Sequence, residues 1–393
     1  MNFPLVENTF GSEEITAMNE VLISNKLTMG NRVAEFEREF AQYIGVPYAV
    51  MVNSGSSANL LALAAIANPW RKRTVKSDSK FLCPAVCWST SFYPIEQMHY
   101  HTIFVDVNPV TANIDLTDLE LKLKLHGDIT GLVLVHVMGN CADMTRVMEL
   151  VTEYDLILVE DTCEALGATY QGRKLGTFGE FGTYSFYYSH HLTTVEGGMV
   201  ICQTAEDYNL LKCLRAHGWT RHMDNYSELS AKYTDIDNRF TFVNLGYNVR
   251  PMEIQAAMGS KQLKILDEKN SNRNSNFNRI AALLRADGKI KTVQPQKNAN
   301  PAWFSMILYL DPKINLKEYL LRLTANGVEN RPVISGNMVR QPVVSLLKIT
   351  DDPTSFTGAE YIHFHGFVIG LSCNLLSDER IQELVSILGG TLP

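Results

Sequence analysis

Apolar residues recur at helical spacing over residues 12–23 and 31–44, which predicts two helices at the start of the chain. The period then shortens. Apolar, β-branched runs at 48–52, 81–84, 102–107, 132–137 and 156–160 read as strands buried on both faces. Helical stretches at 56–67, 117–125 and 144–151 separate them. Such alternation predicts an α/β architecture, a mostly parallel sheet with right-handed crossovers. Ligands of these sheets gather at the carboxyl ends of the strands, so chemistry is expected in the loops that follow them. Beyond residue 250 the pattern becomes one long helical stretch, from about 251 into the 280s, with its charges on one face. A strand at 303–310, a helix at 316–326 and a closing helix at 378–388 then predict a smaller α+β domain. The expected division is residues 1–255 for the large domain and 256–393 for the small one.

Composition narrows the classes. The 393 residues are 46% apolar and 20% charged, enough to close a sizeable core. A formal net charge of −7 leaves no electrostatic footprint for nucleic acid, although a local pocket can still be positive. No apolar run approaches the roughly 18 residues that a membrane span needs. The start, Met1-Asn2-Phe3-Pro4, lacks a secretory pattern, so a cytoplasmic setting is expected. Seven cysteines (Cys83, Cys87, Cys141, Cys163, Cys202, Cys213 and Cys373) are scattered, without a C-x-x-C pair. Neither a disulfide framework nor a metal site is expected from them. The sequon Asn225-Tyr226-Ser227 is then a chance match. The basic segment 69–80, with Trp70, Arg71, Lys72, Arg73, Lys76 and Lys80, reads as a solvated surface loop.

Three segments carry candidate chemistry. Asn53-Ser54-Gly55-Ser56-Ser57-Ala58-Asn59 follows a strand and opens a helix. It suits a phosphate cradle, and equally an ordinary capped helix start. Glu160-Asp161-Thr162-Cys163-Glu164 ends a buried strand. A carboxylate there is costly unless it meets a cation, and a protonated pyridinium nitrogen is one such partner. A metal or a helix cap would also account for Asp161 by itself. The third runs from Gly172 to Gly179 and from Gly182 through His190-His191 to Glu196-Gly197-Gly198-Met199. Adjacent histidines on an extended chain point to opposite faces, which disfavours joint metal binding; a structural pair is the commoner case.

Together these segments resemble the DegT/DnrJ/StrS sugar aminotransferases, across essentially the whole chain. The resemblance implies the type I aspartate-aminotransferase fold and a pyridoxal 5′-phosphate/pyridoxamine 5′-phosphate cofactor. In that family a lysine lies six residues before the Glu of Glu-Gly-Gly. Counting back from Glu196 gives His190. Lys174 lies in the preceding turn, where the family also has a basic residue. Histidine at this position is similar to the sugar 3-dehydratases, as are Arg215-Ala216-His217-Gly218-Trp219 and Gly246-Tyr247-Asn248-Val249-Arg250-Pro251. A sister group with an iron–sulfur cluster needs three clustered cysteines beyond the first of these segments. None occurs between Cys213 and Cys373, so no cluster is expected.

The resemblance then implies particular roles. A histidine cannot hold the cofactor covalently but can still abstract a proton, so His190 is the expected base. Gly55, Ser56 and Ser185 are expected on the cofactor phosphate, Trp88 against its ring, Asp161 on its ring nitrogen, and Glu164 beside it. Asn248 is expected to reach the phosphate from a partner subunit, which implies a homodimer. His217, Arg250 and Arg331 are weaker candidates for substrate contact. The implied partners are L-glutamate and a nucleotide-linked 4-keto-6-deoxy sugar, with GDP-4-keto-6-deoxymannose fitting best. Amine transfer, or a scaffold without catalysis, stays open at this point.

Overall fold

The computed structural model describes residues 2–347 and 349–392. Seven strands form the main sheet: β1 (Tyr48–Val52), β2 (Lys80–Pro84), β3 (His101–Val105), β4 (Ile129–Val135), β5 (Ile157–Asp161), β6 (Phe181–Ser185) and β7 (Gly198–Cys202). Their spatial order is β1-β7-β6-β5-β4-β2-β3. Only β7 runs against its neighbours, pairing Met199 with both Met51 and Tyr184. The other contacts are parallel. The predicted α/β class is therefore observed. Strands β5, β6 and β7 are buried along their whole length, and the expected run at 156–160 corresponds to β5.

Where the sequence pattern is strongly periodic, helices lie close to expectation: Ser12–Ser24, Asn31–Ile44, Gly55–Ile66, Leu116–Leu125 and Met144–Glu153. Four others have no counterpart in the sequence reading: Ser89–Gln97, Ala205–Arg215, Tyr226–Ala231 and Thr357–His365. The first carries Pro94 in its interior and opens on Ser89-Thr90-Ser91, so propensity argues against it. Packing of Phe92 and Ile95, both fully buried, overrides that preference.

Helix Glu253–Asp287 spans 35 residues and ends on Gly288 in the left-handed region. Its first residue also caps another element. Buried Glu253 accepts the backbone N–H groups of Gly30 at 3.0 Å and Arg32 at 2.7 Å, at the start of Asn31–Ile44, whose own N-cap is a glycine. Ala256 and Leu266 pack in the core of the large domain, whereas Phe277, Ile280 and Leu284 pack with residues of the small one. The division expected at 255/256 thus falls inside a continuous helix that serves both cores. The small domain is built on Ser305–Tyr309 paired antiparallel with Gly366–Gly370, flanked by Lys291–Thr292 and Asn330–Arg331. The chain start belongs with it. Phe3 bridges Val328, and the Leu5 N–H donates to Glu329 at 2.8 Å.

The basic loop is held more firmly than a solvated loop would be. The Arg71 guanidinium pairs with Glu180 at 2.6 Å and Asp207 at 2.9 Å. Among the described residues no helix is long and apolar enough to cross a membrane.

One carboxylate ties the domains together. Asp106, just beyond β3, accepts the N–H groups of Gly358 and Ala359, each at 2.9 Å, at the start of Thr357–His365. Asp106→Ala is expected to lower the unfolding free energy by about 1–2 kcal/mol, the usual size of a lost cap. Urea denaturation checks it, and a midpoint unchanged from the parent would refute the clamp.

Candidate active site

The carboxyl ends of β5 and β6 and the start of Gly55–Ile66 enclose a cavity of about 310 Å³. Gly55, Ser56, Trp88, Asp161, Glu164, Ser185, His190 and Arg331 all line it. Sequence positions from 55 to 331 meet there because each lies at a strand end or in the loop after one.

The helix start is shaped for close approach. Ser54 caps it, its Oγ accepting the Ser57 N–H at 3.1 Å. A β-carbon on Gly55 would overlap the side chain of Ser185 and crowd the Cys163 thiol. Only glycine lets the helix start lie this close to Ser185 and Cys163. The Ser56 hydroxyl is 2.9 Å from Thr90. Trp88 stands at the mouth with 58% of its surface exposed, free to cover a ring.

Glu160 and Asp161 are consecutive residues of β5, so their side chains leave opposite faces of the sheet. Asp161 is buried. Its Oδ2 accepts from the Asn59 amide at 2.8 Å and the Ser91 hydroxyl at 2.7 Å, and its Oδ1 from the Cys163 N–H at 3.1 Å. Thr183 in turn donates to Asn59 Oδ1 at 2.5 Å, orienting the amide so that its N–H faces the carboxylate. Glu160 takes the structural part. It accepts from the N–H groups of Gly176, Phe178 and Gly179 and lies 3.0 Å from His136 Nε2.

His190 sits in the connection between β6 and β7. Its Nδ1 lies 2.8 Å from the carbonyl oxygen of Cys163. A carbonyl only accepts, so Nδ1 carries the hydrogen and Nε2 keeps its lone pair. Nε2 bonds to no described protein group. Burial pushes the imidazole down to about 4; the Cys163 carbonyl and Asp161 oppose this, while the Arg331 and Arg273 charges add to it. Burial likewise pushes Glu164 up to about 7, against the Arg331 guanidinium and the Met138 N–H, which donates to it at 3.1 Å. The Arg331 Nε is buried without a partner.

No lysine is among the described residues lining the cavity. Lys174 lies elsewhere, its ammonium 3.5 Å from the centre of the Tyr43 ring.

The model of the DegT/DnrJ/EryC1/StrS aminotransferase family matches residues 8–388. The chain belongs to this family. It is 36% identical over 392 residues to a GDP-4-keto-6-deoxy-D-mannose 3-dehydratase of Yersinia pseudotuberculosis, covering 99% of this chain and 98% of the relative. A mutant GDP-4-keto-6-deoxymannose-3-dehydratase crystallised with GDP-perosamine is similar with a TM-score of 0.90 and 34% identity, over 98% of this chain and 100% of the other. Another structure of such a dehydratase, holding a trapped PLP-glutamate geminal diamine, gives a TM-score of 0.89 and 33% identity over the same shares. The cofactor is pyridoxal 5′-phosphate, as is typical of the family, and solved relatives carry it.

The residues here fit that group. The open backbone at Gly55, with serines around a helix start, suits a phosphate, and the buried Asp161 carboxylate suits a protonated ring nitrogen. Asn59, Thr90, Ser91, Tyr187 and Phe304 also line or brace the site and were not singled out from the sequence. Asn59 closes the first motif, so a search for donors to Asp161 had it within view. His217, Asn248 and Arg250 do not join the cavity of this chain. His217 and Asn248 are exposed, and Arg250 donates to the Asn248 side chain at 3.1 Å.

The depressed His190 value has a consequence for folding. The native state binds fewer protons than the unfolded chain between pH 6.5 and about 4, so this contribution is complete above 6.5 and shrinks as pH falls. The His190 contribution should fall from pH 7 to pH 5, opposed by Glu164, and His190→Asn should change the slope of stability against pH by removing it, by no more than about 1.4 kcal/mol per pH unit. Urea unfolding at the two pH values measures it; equal slopes in the two proteins would contradict the assignment.

Proposed function

We propose that this protein is a 3-dehydratase of nucleotide-linked 4-keto-6-deoxy sugars, using pyridoxamine 5′-phosphate and L-glutamate, in deoxysugar biosynthesis. The observation that carries the reading is His190: an imidazole with a fixed tautomer and a free Nε2, in a cavity whose described lining contains no lysine. Two relatives, each 36% identical over 94% or more of the chain, are named as dehydratases of GDP-4-keto-6-deoxy-D-mannose, which makes that sugar the first substrate to test.

When bound, the cofactor supplies an amine that joins the sugar C4 ketone and a ring that takes up electrons. Asp161 holds the ring nitrogen protonated, with Asn59 and Ser91 fixing its carboxylate. His190 Nε2 takes a proton from the carbon next to the cofactor amine. The same imidazole, now charged, gives that proton to the departing C3 oxygen, which leaves as water. Gly55, Ser56 and Ser185 hold the phosphate, Trp88 covers the ring, and Glu164 lies beside it. Arg331, with an unpartnered Nε, meets a carboxylate or diphosphate. Hydrolysis would then yield a 3-deoxy-4-keto sugar and ammonia with the cofactor left as its aldehyde, and glutamate would restore the amine form on becoming 2-oxoglutarate.

The remaining candidates support a homodimer. Asn248 would reach the partner's phosphate site, with His217 and Arg250 beside the substrate there. Around them Phe240, Phe242 and Leu245 are exposed at 57%, 57% and 92%, an apolar face that a second copy would cover.

Incubation with GDP-4-keto-6-deoxymannose, pyridoxamine 5′-phosphate and glutamate should give a product lacking one oxygen, together with ammonia. A product retaining nitrogen on the sugar would replace this reading with amine transfer. His190→Asn should bind cofactor yet lose elimination by at least about a hundredfold; full activity in that variant would remove His190 as the base. The protein should sediment as a dimer, and Asn248→Ala should weaken cofactor binding about tenfold with the fold intact by circular dichroism. A monomer with undiminished cofactor affinity in the parent would contradict the shared site.

A further inference from the structure

The second histidine of the pair has no part in the reaction above, yet it is placed with care. His191 is 1% exposed, and its Nε2 lies 2.8 Å from the carbonyl oxygen of Ala302. The carbonyl accepts, so the imidazole donates; its Nδ1 is left buried without a partner. Leaving that nitrogen unmet is costly. The cost is offset only if the Ala302 bond matters.

Residues 302–304 form a strap on the way into the small-domain sheet. The Ala302 N–H donates to Gly139 at 3.0 Å, and the Phe304 N–H to Met138 at 3.1 Å. Gly139 has a φ of +88°, and a β-carbon on it would run into the Ala302 carbonyl, so strap and turn lie in contact. The strap thereby ties the His190-His191 turn to the loop whose Met138 N–H donates to Glu164.

The strap delivers one side chain to the base. The Phe304 ring centre lies 5.1 Å from that of His190, at an interplanar angle of 63°. It is 5.5 Å from His191, with the Arg331 guanidinium 5.9 Å away. Tyr187 stands 6.1 Å from His190 at 85°. A single hydrogen bond from Nδ1 leaves an imidazole able to swing about it. Rings on two sides remove that freedom. The charged and titratable groups facing His190 come from every neighbouring element: Asp161 from β5, Cys163 and Glu164 from the loop after it, Arg331 from the small domain, Arg273 from the long helix, and Tyr187 and His191 from its own turn. Phe304 is the apolar ring among them, set against the imidazole from the small-domain side.

We propose that Phe304, seated by the His191–Ala302 hydrogen bond, is a positioning residue that fixes the orientation and tautomer of the His190 imidazole. This rests on the reading of His190 as the base, but one arm of its test needs no reaction. In cofactor-free protein labelled with ¹⁵N-histidine, the His190 resonances are identified by their loss in His190→Asn. They should show hydrogen on Nδ1 and titrate well below 6.5. In Phe304→Leu the titration should move up toward 6.5, with both tautomers populated. In the loaded enzyme Phe304→Leu and His191→Ala should each lower kcat about tenfold or more, with the sugar KM within about twofold. His191→Gln, whose amide can still donate to Ala302, should recover most of the loss.

A His190 titration and tautomer unchanged in Phe304→Leu overturn the proposal, whatever reaction the enzyme performs. So does a loss in His191→Ala that His191→Gln fails to recover. Loss of elimination in His190→Asn is read separately and bears on the dehydratase reading alone.

Discussion

Two adjacent carboxylates lie buried at the end of the central strand, and neither can remain there without donors. Glu160 collects backbone N–H groups from the turn at Gly176–Gly179, on one face of the sheet. Asp161 collects Asn59, Ser91 and the Cys163 N–H on the other. Satisfying them draws in two helices, a turn and a neighbouring strand, and the pieces that meet Asp161 become walls of the cavity. Asn59 and Ser91 are on helices that must pack tightly for their donors to arrive, which links burial of Phe92 and Ile95 to the electrostatics of Asp161. The site is in this sense a by-product of making two buried charges tolerable.

Residues whose place follows from strand ends were legible in the sequence. Gly55, Asp161, Ser185 and His190 each sit at the end of a sheet strand or in the loop after one, and parallel topology brings such ends together. Ser91 was not legible, because its helix contains Pro94 and starts on three residues of modest propensity. Phe304 read as part of a strand; that it flanks an imidazole depends on Ala302 and Met138, over a hundred positions apart. The chain start was assigned by its position in the sequence, whereas its hydrogen bonds go to Gly327 and Glu329. Long-range pairing of this sort leaves no local pattern. The long helix illustrates the converse: its periodicity was plain, but Glu253 as the cap of another helix was visible only in three dimensions.

Electrostatics divides the cavity. The groups that should be charged are surrounded by partners of suitable sign or by donors. His190 meets rings and a carbonyl, whereas Glu164 meets the Met138 N–H and the Arg331 charge. Glu164 and His190, pushed in opposite directions by burial, lie in the same cavity and can each be neutral near pH 7. A neutral acid and a neutral base lining one cavity suit a site that must shuttle a proton.

The described cavity wall lacks an amine, and that changes how the protein keeps its cofactor. A lysine would tether it through a covalent bond, so occupancy would outlast a fall in supply. On the proposed reading, retention would rest on the helix start, the serines and Asp161, and would therefore be an equilibrium. Occupancy follows the free concentration of the vitamin, and so does the extra stability that binding confers, which grows as the logarithm of that concentration. The amount of working protein in a cell is then coupled to a shared metabolite pool, as a tethered enzyme's is not.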